Sequence, residues 1–298
     1  MNIEKLYPEC KDYIWGGNKL KEKYGKITDK APCAESWELS FHKDGLCKLQ
    51  DGRTLKDAIS EKEIGTKAKK FKDFPVLIKF IDAKGDLSVQ VHPSDDYALK
   101  NENSFGKTEM WYIVEAEIGA GIYLGFNRDT TKEEYEAAIK EKRLTELLNF
   151  YEVKSGDCFF IPSGTIHAIG KGCLICEIQQ NSNLTYRVYD YGRKDKYGNE
   201  RELHIEKALE VTNLKKFKPT EFKGETLGAC EYFTVTKHKT DGQLSFFADS
   251  DSFACVCCTS GRGKIENLDI SAGDSFFIPA GYGNFSVNGN LEILITKI

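Results

Sequence analysis

The sequence predicts a mainly β protein made of two related β units with a few inserted helices. The length of 298 residues suits two domains. Short apolar segments separated by Gly, Asp and Asn turns are typical of strands, and one turn-strand-turn motif occurs twice, which indicates a repeated unit. The strand-like segments include PVLIKFI, LSVQVHP, EMWYIVEA, AGIYLGF, DCFFIP and CLICEIQQ.

The repeated motif is KSGDCFFIPSG at 154–164 and SAGDSFFIPAG at 271–281. Each copy is typical of a tight turn at Gly-Asp, a short buried strand and a second turn at Pro-x-Gly. The copies differ shortly after the motif, where the first has His167 and the second has Asn284. A metal ligand kept in only one copy fits one working site and one metal-free scaffold.

The repeat and the helix patterns together predict the domain organisation. Apolar residues recur at helical spacing over 131–150, and weaker helical patterns cover 55–70 and 202–212. All three fall in the first part of the chain. We therefore expect a metal-binding domain with helical insertions at 1–213 and a second, metal-free domain at 214–298.

Composition and charge exclude several classes of protein. The net charge of −4 gives no basic field for nucleic acid or an anionic membrane, and no apolar run reaches the ~18 residues of a membrane helix. We find no signal sequence, so we expect a cytoplasmic protein with reduced thiols. Of the ten cysteines, Cys173 and Cys176 form a CxxC, but strand alternation sends them to opposite faces. We expect buried apolar packing for the thiols and no role in the chemistry.

Four side chains predict a metal site. The pattern Gly-x5-Pro-x-Gly-x2-His, which ends at His167, resembles the second motif of the cupin superfamily, whose fold is a jelly-roll β-barrel. The first cupin motif normally supplies His-x-His and then Glu, where this chain has Gln90, His92 and Glu109. Gln90 and His92 share one strand face, so a barrel can direct all four side chains at one point. Their oxygen and nitrogen donors suit a single Zn²⁺ ion.

Longer segments carry a family resemblance over most of the chain. LSVQVHPSDDYA, GKTEMWYIV, FIPSGTIHAIG and EIQQNSNLTYRVYDYGR resemble the type I mannose-6-phosphate isomerases in their shorter bacterial form. The resemblance implies two cupin-type barrels and a zinc-dependent aldose–ketose isomerase. Such an enzyme interconverts mannose 6-phosphate and fructose 6-phosphate through an enediol(ate), with a phosphosugar as its partner.

The resemblance also implies roles for individual residues. Gln90, His92, Glu109 and His167 match the metal ligands of the family. Lys107 and Arg187 match its active-site lysine and arginine, although Arg193 lies close enough to compete with Arg187. Ser88 and Lys79 match positions near the sugar phosphate.

The residue types leave some roles open. Trp15, Glu35 and Trp37 are candidates to line the substrate pocket, and His42 is a further candidate. Arg187 could instead form an ion pair with Asp190 or Asp195. A metal-bound water, a histidine or Glu35 could each serve as the base that isomerisation requires.

Two other functions fit a cupin with these residues. An iron-dependent dioxygenase would consume oxygen, but Gln90 replaces the usual first histidine, and Lys107 and Arg187 favour an anionic substrate. A non-catalytic sugar-binding module would bind without turnover. The sequence gives neither the oligomeric state nor the role of the second barrel.

Overall fold

The computed structural model describes residues 1–194 and 197–298, and strands dominate its regular structure. The prediction of a mainly β fold is therefore confirmed. The strands, in chain order, are Glu4–Lys5 (β1), Glu9–Lys11 (β2), Glu35–Leu39 (β3), Val76–Ala83 (β4), Val89–Val91 (β5), Glu109–Ala116 (β6), Gly121–Phe126 (β7), Leu148–Glu152 (β8), Cys158–Ile161 (β9), His167–Ile169 (β10), Cys173–Gln180 (β11), Tyr186–Tyr189 (β12), Thr226–Ala229 (β13), Thr234–Thr240 (β14), Gln243–Ala248 (β15), Ala254–Ile265 (β16), Leu268–Ser271 (β17), Ser275–Ile278 (β18) and Gly283–Lys297 (β19).

The helices are short and lie between strands. None of those in the described ranges combines the length and apolar character that a bilayer crossing needs. The α-helices are Lys19–Glu22 (α1), Leu55–Ala58 (α2), Glu61–Ile64 (α3), Asp95–Asn101 (α4), Lys132–Lys140 (α5) and Ile205–Val211 (α6), and 3₁₀ turns cover Thr66–Lys70 and Leu144–Leu147.

The helix predicted over 131–150 is too long. Its α5 portion ends at Lys140, and Lys142 then adopts a left-handed backbone with φ of 57°. The next leucines form a 3₁₀ turn, and the last residues pair with β7 as strand β8. The pattern over 55–70 likewise splits into α2, α3 and a 3₁₀ turn. The pattern over 202–212 is shorter than predicted because α6 starts only at Ile205.

Two antiparallel sheets face each other in the first two thirds of the chain. The larger has the order β2-β3-β4-β11-β6-β9, and the smaller has the order β12-β5-β10-β7-β8. Ile81, Trp111 and Ile175 of the larger sheet pack against Ile122 and Leu124 of the smaller one. This apolar layer fixes the spacing of the sheets on which the candidate site is built.

A third sheet covers the outer face of the six-stranded one. Its order is β1-β18-β16-β19-β14-β13, with β15 paired to β19 and β17 paired to β16. Among the described residues, the edge strands of each sheet do not pair with each other. The closed barrels expected from the sequence are therefore not observed. The first strand, β1, pairs with β18, so the N-terminal residues belong to the same sheet as the C-terminal ones.

The interface between the six-stranded sheet and the third sheet is a continuous apolar core. Phe80 and Cys176 pack there in one cluster with Phe253 and Phe277. The rings of Phe253 and Phe277 stack with centroids 5.4 Å apart. The middle strands of the six-stranded sheet are consequently buried on both faces, which explains their nearly continuous apolar sequences.

The repeated motif folds the same way in both copies. Gly156 and Gly273 have φ of 94° and 93°, a left-handed conformation that favours glycine. In each copy, the carboxylate of the following aspartate accepts a hydrogen bond of 2.9 Å from a backbone N–H three residues earlier. The two strands that follow are β9 and β18. Asn284, the counterpart of His167, is exposed on β19.

Eight of the ten cysteines are buried, as the sequence predicts, and Cys158 and Cys230 are partly buried. All ten are free. Cys173 packs between the two facing sheets, and Cys176 packs in the core beneath the third sheet. The CxxC therefore spans two cores and forms no chelating pair.

We predict that Phe277→Ala destabilises the whole chain, because its side chain is fully buried in the core that the sheets share. The expected loss is about 3–5 kcal/mol in the free energy of unfolding. All tryptophans, Trp15, Trp37 and Trp111, lie outside the third sheet. Urea titration followed by tryptophan fluorescence therefore reports whether the loss of stability in the third sheet also destabilises the other two sheets.

The matched control is Phe247→Ala, since Phe247 lies on the third sheet with 58% of its surface exposed. We expect a change within about 0.5 kcal/mol for this variant. An unaltered tryptophan transition in Phe277→Ala would mean that the third sheet unfolds independently.

Candidate metal centre and its cavity

Three possible metal ligands meet between the facing sheets. His167 starts β10 and lies directly opposite Gln90 of β5, and His92 follows that same strand. Glu109 starts β6 on the facing sheet. One ligand atom from each of His92, Glu109 and His167 lies within 4.8 Å of the others, and all three residues are buried. The cluster could hold a metal ion.

Both imidazoles are oriented for metal binding. The Nδ1 of His92 lies 2.8 Å from the carbonyl oxygen of Leu184, and the Nδ1 of His167 lies 2.8 Å from that of Thr165. Because a carbonyl only accepts hydrogen bonds, Nδ1 carries the proton in each ring and Nε2 keeps its lone pair. Burial and the charge of Lys107 lower the pKa of His167 to about 4 and the pKa of His92 well below its usual value. The two rings are therefore neutral ligands.

Glu109 is a buried carboxylate whose two oxygens face the imidazoles of the cluster. Its Oε1 lies 3.3 Å from Nε2 of His167, and its Oε2 lies 3.7 Å from Nε2 of His92. No group in the described residues makes a well-aligned hydrogen bond to either oxygen, although the ammonium of Lys107 is 2.6 Å away. Burial and the neighbouring Glu177 raise the pKa of Glu109 to about 7, despite Lys107. This donor set fits a divalent cation.

Gln90 borders the same point. Its Nε2 lies 3.4 Å from Nε2 of His167, while its Oε1 lies 3.4 Å from the hydroxyl of Ser88. A half-turn of the amide exchanges the two atoms and presents the oxygen to the cluster. Gln90 is therefore close enough to supply a fourth, neutral ligand.

A cavity of about 240 Å³ opens beside this cluster. Its walls include most of the residues that the sequence proposes for substrate and catalysis, together with aromatic and apolar side chains. The sequence-predicted members are Trp15, Glu35, Lys79, Ser88, Gln90, Lys107 and Arg187.

A network of buried ions forms the floor of the cavity. The ammonium of Lys79 lies 3.5 Å from Glu35 and 3.7 Å from Glu177, and Lys107 lies 3.5 Å from Glu177. Burial alone would lower the pKa of Lys79, but Glu35 and Glu177 outweigh it and raise that pKa. Burial would raise the pKa of Glu177, but Lys107 and Lys79 outweigh it and lower that pKa. Both groups are thus charged at neutral pH, and Trp111 donates a further hydrogen bond of 2.8 Å to Glu177.

Arg187 lies in the cavity wall with part of its guanidinium accessible. Its Nε donates to the hydroxyl of Ser88 at 3.3 Å, and one terminal nitrogen donates to the carbonyl of Glu202 at 3.0 Å. Arg193 binds Asp190 instead and is not among the residues that line this cavity. The geometry therefore favours Arg187 over Arg193 as the arginine available to a ligand.

Asp190 holds two arginines, neither of which is Arg187. Its carboxylate accepts hydrogen bonds from Arg201 at 2.7 and 2.5 Å and also pairs with Arg193. The ion pair between Arg187 and Asp190 considered from the sequence is therefore not formed. Asp195, the other possible partner, lies outside the described residues.

Several cavity residues are absent from the sequence prediction. Glu177 is the one charged residue in the apolar strand CLICEIQQ, and that anomaly was its available signal. Arg201 and His204 line the cavity from irregular backbone just before α6, and neither belongs to the motifs that predict the site. Two candidate pocket residues, His42 and Trp37, are not among the lining residues. Their rings pack edge-on against each other with centroids 5.8 Å apart.

The chain is similar to known proteins along its whole length. A family model described as phosphomannose isomerase type I, catalytic domain, matches residues 3–142. A second, described as mannose-6-phosphate isomerase, cupin domain, matches residues 223–298.

Curated and solved relatives agree with these matches. The probable mannose-6-phosphate isomerase GmuF of Bacillus subtilis is 39% identical over 98% of this chain and 98% of its own length. The mannose-6-phosphate isomerase ManA of the same organism is 36% identical over 100% of both chains. The crystal structure of a mannose 6-phosphate isomerase from Bacillus subtilis matches with a TM-score of 0.90 and 32% identity, covering 100% of each chain.

We predict that Glu109→Gln abolishes metal retention while the fold persists. The amide keeps the size of the side chain but removes the one negative charge in the ligand cluster. Mass spectrometry of the metal content should find one divalent ion per wild-type chain and a strongly reduced amount in the variant. Circular dichroism should remain at the wild-type signal.

Glu35→Gln is the matched control, since it makes the same exchange in the cavity wall outside the ligand cluster. It should retain the ion. Equal metal content in wild-type protein and Glu109→Gln would exclude the cluster as the binding site.

Proposed function

This chain belongs to the type I phosphomannose isomerase family, and on that premise we propose that it interconverts mannose 6-phosphate and fructose 6-phosphate. The observation that carries the proposal is a single cavity where the possible metal cluster adjoins Lys107, Glu177 and Arg187. Moving a proton between C1 and C2 requires a base and positive charge near the sugar oxygens. The anionic phosphate requires a cationic contact.

We propose zinc as the ion, with His92, His167, Glu109 and Gln90 as its ligands. Two neutral imidazoles, a carboxylate and an amide oxygen match the nitrogen and oxygen donors that zinc accepts. When bound, such a cation supplies Lewis-acid stabilisation of the negative charge that develops on the substrate oxygens.

Lys107 adds a second positive charge at the border between the metal cluster and the open cavity. Its ammonium lies 2.6 Å from Glu109 and 3.3 Å from Nε2 of His92. Since both neighbours are buried, the ammonium acts in a low-dielectric setting where its charge is weakly screened. Its proposed role is to stabilise the developing oxyanion of the substrate.

Glu177 is the carboxylate best suited to accept the proton. Its Oε1 has no hydrogen-bond donor among the described residues, and Lys107 and Lys79 keep the group ionised. Glu35 also accepts an indole hydrogen bond, 2.7 Å from Trp37, so this contact does not separate the two carboxylates. Their ion pairs do: Glu35 pairs with Lys79, whereas Glu177 also pairs with Lys107 beside the metal cluster. We therefore assign the base to Glu177.

Arg187 and Ser88 form the proposed phosphate contact. The hydroxyl of Ser88 holds the Nε of Arg187, and the guanidinium keeps donors for a bidentate contact with phosphate oxygens. Lys79 is held between Glu35 and Glu177. Its proposed role is to maintain the charge and position of these carboxylates.

We also propose that residues 1–213 and 214–298 are two related jelly-roll units of the cupin type. The matching turns before β9 and β18 support this division, as does the separate family match over 223–298. The two units are joined by β1, which comes from the first unit and pairs with β18 of the second.

The proposal predicts that the protein converts mannose 6-phosphate into fructose 6-phosphate without a redox cofactor. A chelator should abolish turnover, and added Zn²⁺ should restore it, because the metal charge is required for the reaction. The assay couples fructose 6-phosphate formation to a spectrophotometric readout. Protein that is treated with chelator and then given Zn²⁺ serves as its own control.

Three outcomes would contradict this function. Full activity in metal-free protein would exclude metal-assisted isomerisation. Oxygen uptake together with bound iron would indicate a dioxygenase. Binding of the sugar phosphate without turnover would indicate a sugar-binding module.

We predict that Arg187→Ala lowers kcat/KM for mannose 6-phosphate by about 100-fold or more, since a guanidinium contact to phosphate is charge-assisted. Arg193→Ala is the matched control, because Arg193 does not line the cavity and pairs with Asp190. We expect kcat/KM of Arg193→Ala to fall by less than about tenfold. Steady-state kinetics of both variants decides between the two arginines, and the reverse order would assign the phosphate contact to Arg193.

A further inference from the structure

We propose that Tyr232, in the turn that joins β13 and β14 of the third sheet, is a positioning residue for Lys107 and acts through the side chains of Asp95 and Gln180. The inference rests on the proposed function, in which Lys107 stabilises charge on the substrate. It assigns the third sheet a direct part in the reaction, beyond covering the core. The chain of contacts contains three hydrogen-bonding side chains and ends on the backbone beside Lys107.

Asp95, at the start of α4, is the centre of this chain. Its Oδ2 accepts a hydrogen bond of 2.6 Å from the hydroxyl of Tyr232. Its Oδ1 accepts from the backbone N–H of Gly106 at 2.6 Å and from the side-chain amide of Gln180 at 3.0 Å. The carboxylate thus joins the turn between β13 and β14 to the backbone immediately before Lys107.

Gln180, at the end of β11, carries the contact to the other side of Lys107. Its side-chain oxygen accepts from the N–H of Thr108 at 2.7 Å, and its own N–H donates to the carbonyl of Thr108 at 3.0 Å. Thr108 stands between Lys107 and Glu109. The segment that carries the catalytic ammonium and the metal-site carboxylate is therefore held on both flanks.

This segment has little room to move. Lys107 donates its backbone N–H to the carbonyl of Pro93 at 3.0 Å, next to His92. A Cβ on Gly106 would lie 2.5 Å from the backbone of Ser94 and Asp95, so only glycine permits this approach. A small change in the orientation of Asp95 is consequently transmitted to Lys107.

Tyr232 is itself well located for this role. Its ring lies 5.7 Å from that of Phe71, and Lys70 donates a hydrogen bond of 3.0 Å to the carbonyl of the preceding Glu231. The ring position is therefore fixed by contacts that do not need the hydroxyl. Removing the hydroxyl alone leaves Oδ2 of Asp95 without this donor and lets the carboxylate turn.

Tyr232→Phe tests the inference, because it deletes the hydroxyl and keeps the ring. We expect kcat for mannose 6-phosphate to fall about three- to tenfold with KM within twofold, since a displaced catalytic group weakens transition-state stabilisation. Hydrogen–deuterium exchange should accelerate in the peptide that covers residues 105–109. The exchange measurement does not depend on turnover, and both proteins are compared at equal metal content.

Tyr112→Phe is the matched control. Tyr112 also donates from the first part of the polypeptide across the interface, to Glu292. Within the described residues, its hydroxyl has no hydrogen bond to Asp95 or Gln180. It should lower the melting temperature and leave kcat and the exchange of 105–109 at wild-type values. Gln180→Met removes the hydrogen bonds of the Gln180 side chain to Asp95 and Thr108. It should reproduce the fall in kcat without any change in the third sheet.

The outcomes separate the inference from the proposed function. Inactive wild-type protein with Zn²⁺ would remove the proposed function itself. Active wild-type protein with unchanged kcat and exchange in Tyr232→Phe would overturn the inference alone. Equal losses in Tyr232→Phe and Tyr112→Phe would show a general effect of the interface and would also overturn it.

Discussion

The structure depends on the burial of five ionised or ionisable side chains between two apolar sheets. Glu35, Glu109 and Glu177 share this interior with the ammonium groups of Lys79 and Lys107. Removing such charges from water costs several kcal/mol per ion unless partners compensate. The two ammonium groups compensate in part, and the remaining negative charge lies beside two neutral imidazoles. A cation at that point would complete the balance, so folding and the proposed chemistry have the same requirement.

The three-layer arrangement makes this interior possible. The six-stranded sheet is the middle layer, with the small sheet on one side and the third sheet on the other. Its inward residues carry the chemistry, while its outward residues form the apolar core under the third sheet. Water is thereby excluded from the back of the site, which strengthens every electrostatic contact in front. The polar contact from Tyr232 crosses this interface where apolar contacts dominate.

The extent of sequence prediction follows the range of the interactions involved. The sequence places His92 and Gln90 on one strand face because strand alternation is local, and His167 follows a turn motif that resembles the cupin one. The structure brings these side chains together, and their roles as ligands stay predictions. Glu177 was missed because its surroundings depend on the pairing of β11 with β4 and β6, which no local pattern reveals. The helix over 131–150 was overextended for a related reason, since pairing with β7 converts its last residues into a strand. Sheet closure is likewise non-local, and the expected barrels were not observed as closed pairings.

The register of β11 has a consequence for how the chain folds. Glu177 lies opposite Lys79 on β4 and opposite Trp111 on β6. A slip of one residue would turn Glu177 into the apolar layer that Cys176 and Ile178 occupy, without either lysine as a partner. Burying that carboxylate unpaired would cost several kcal/mol. The charges of the site therefore make misaligned sheets unstable, so the side chains proposed for turnover also select the correct strand alignment during folding.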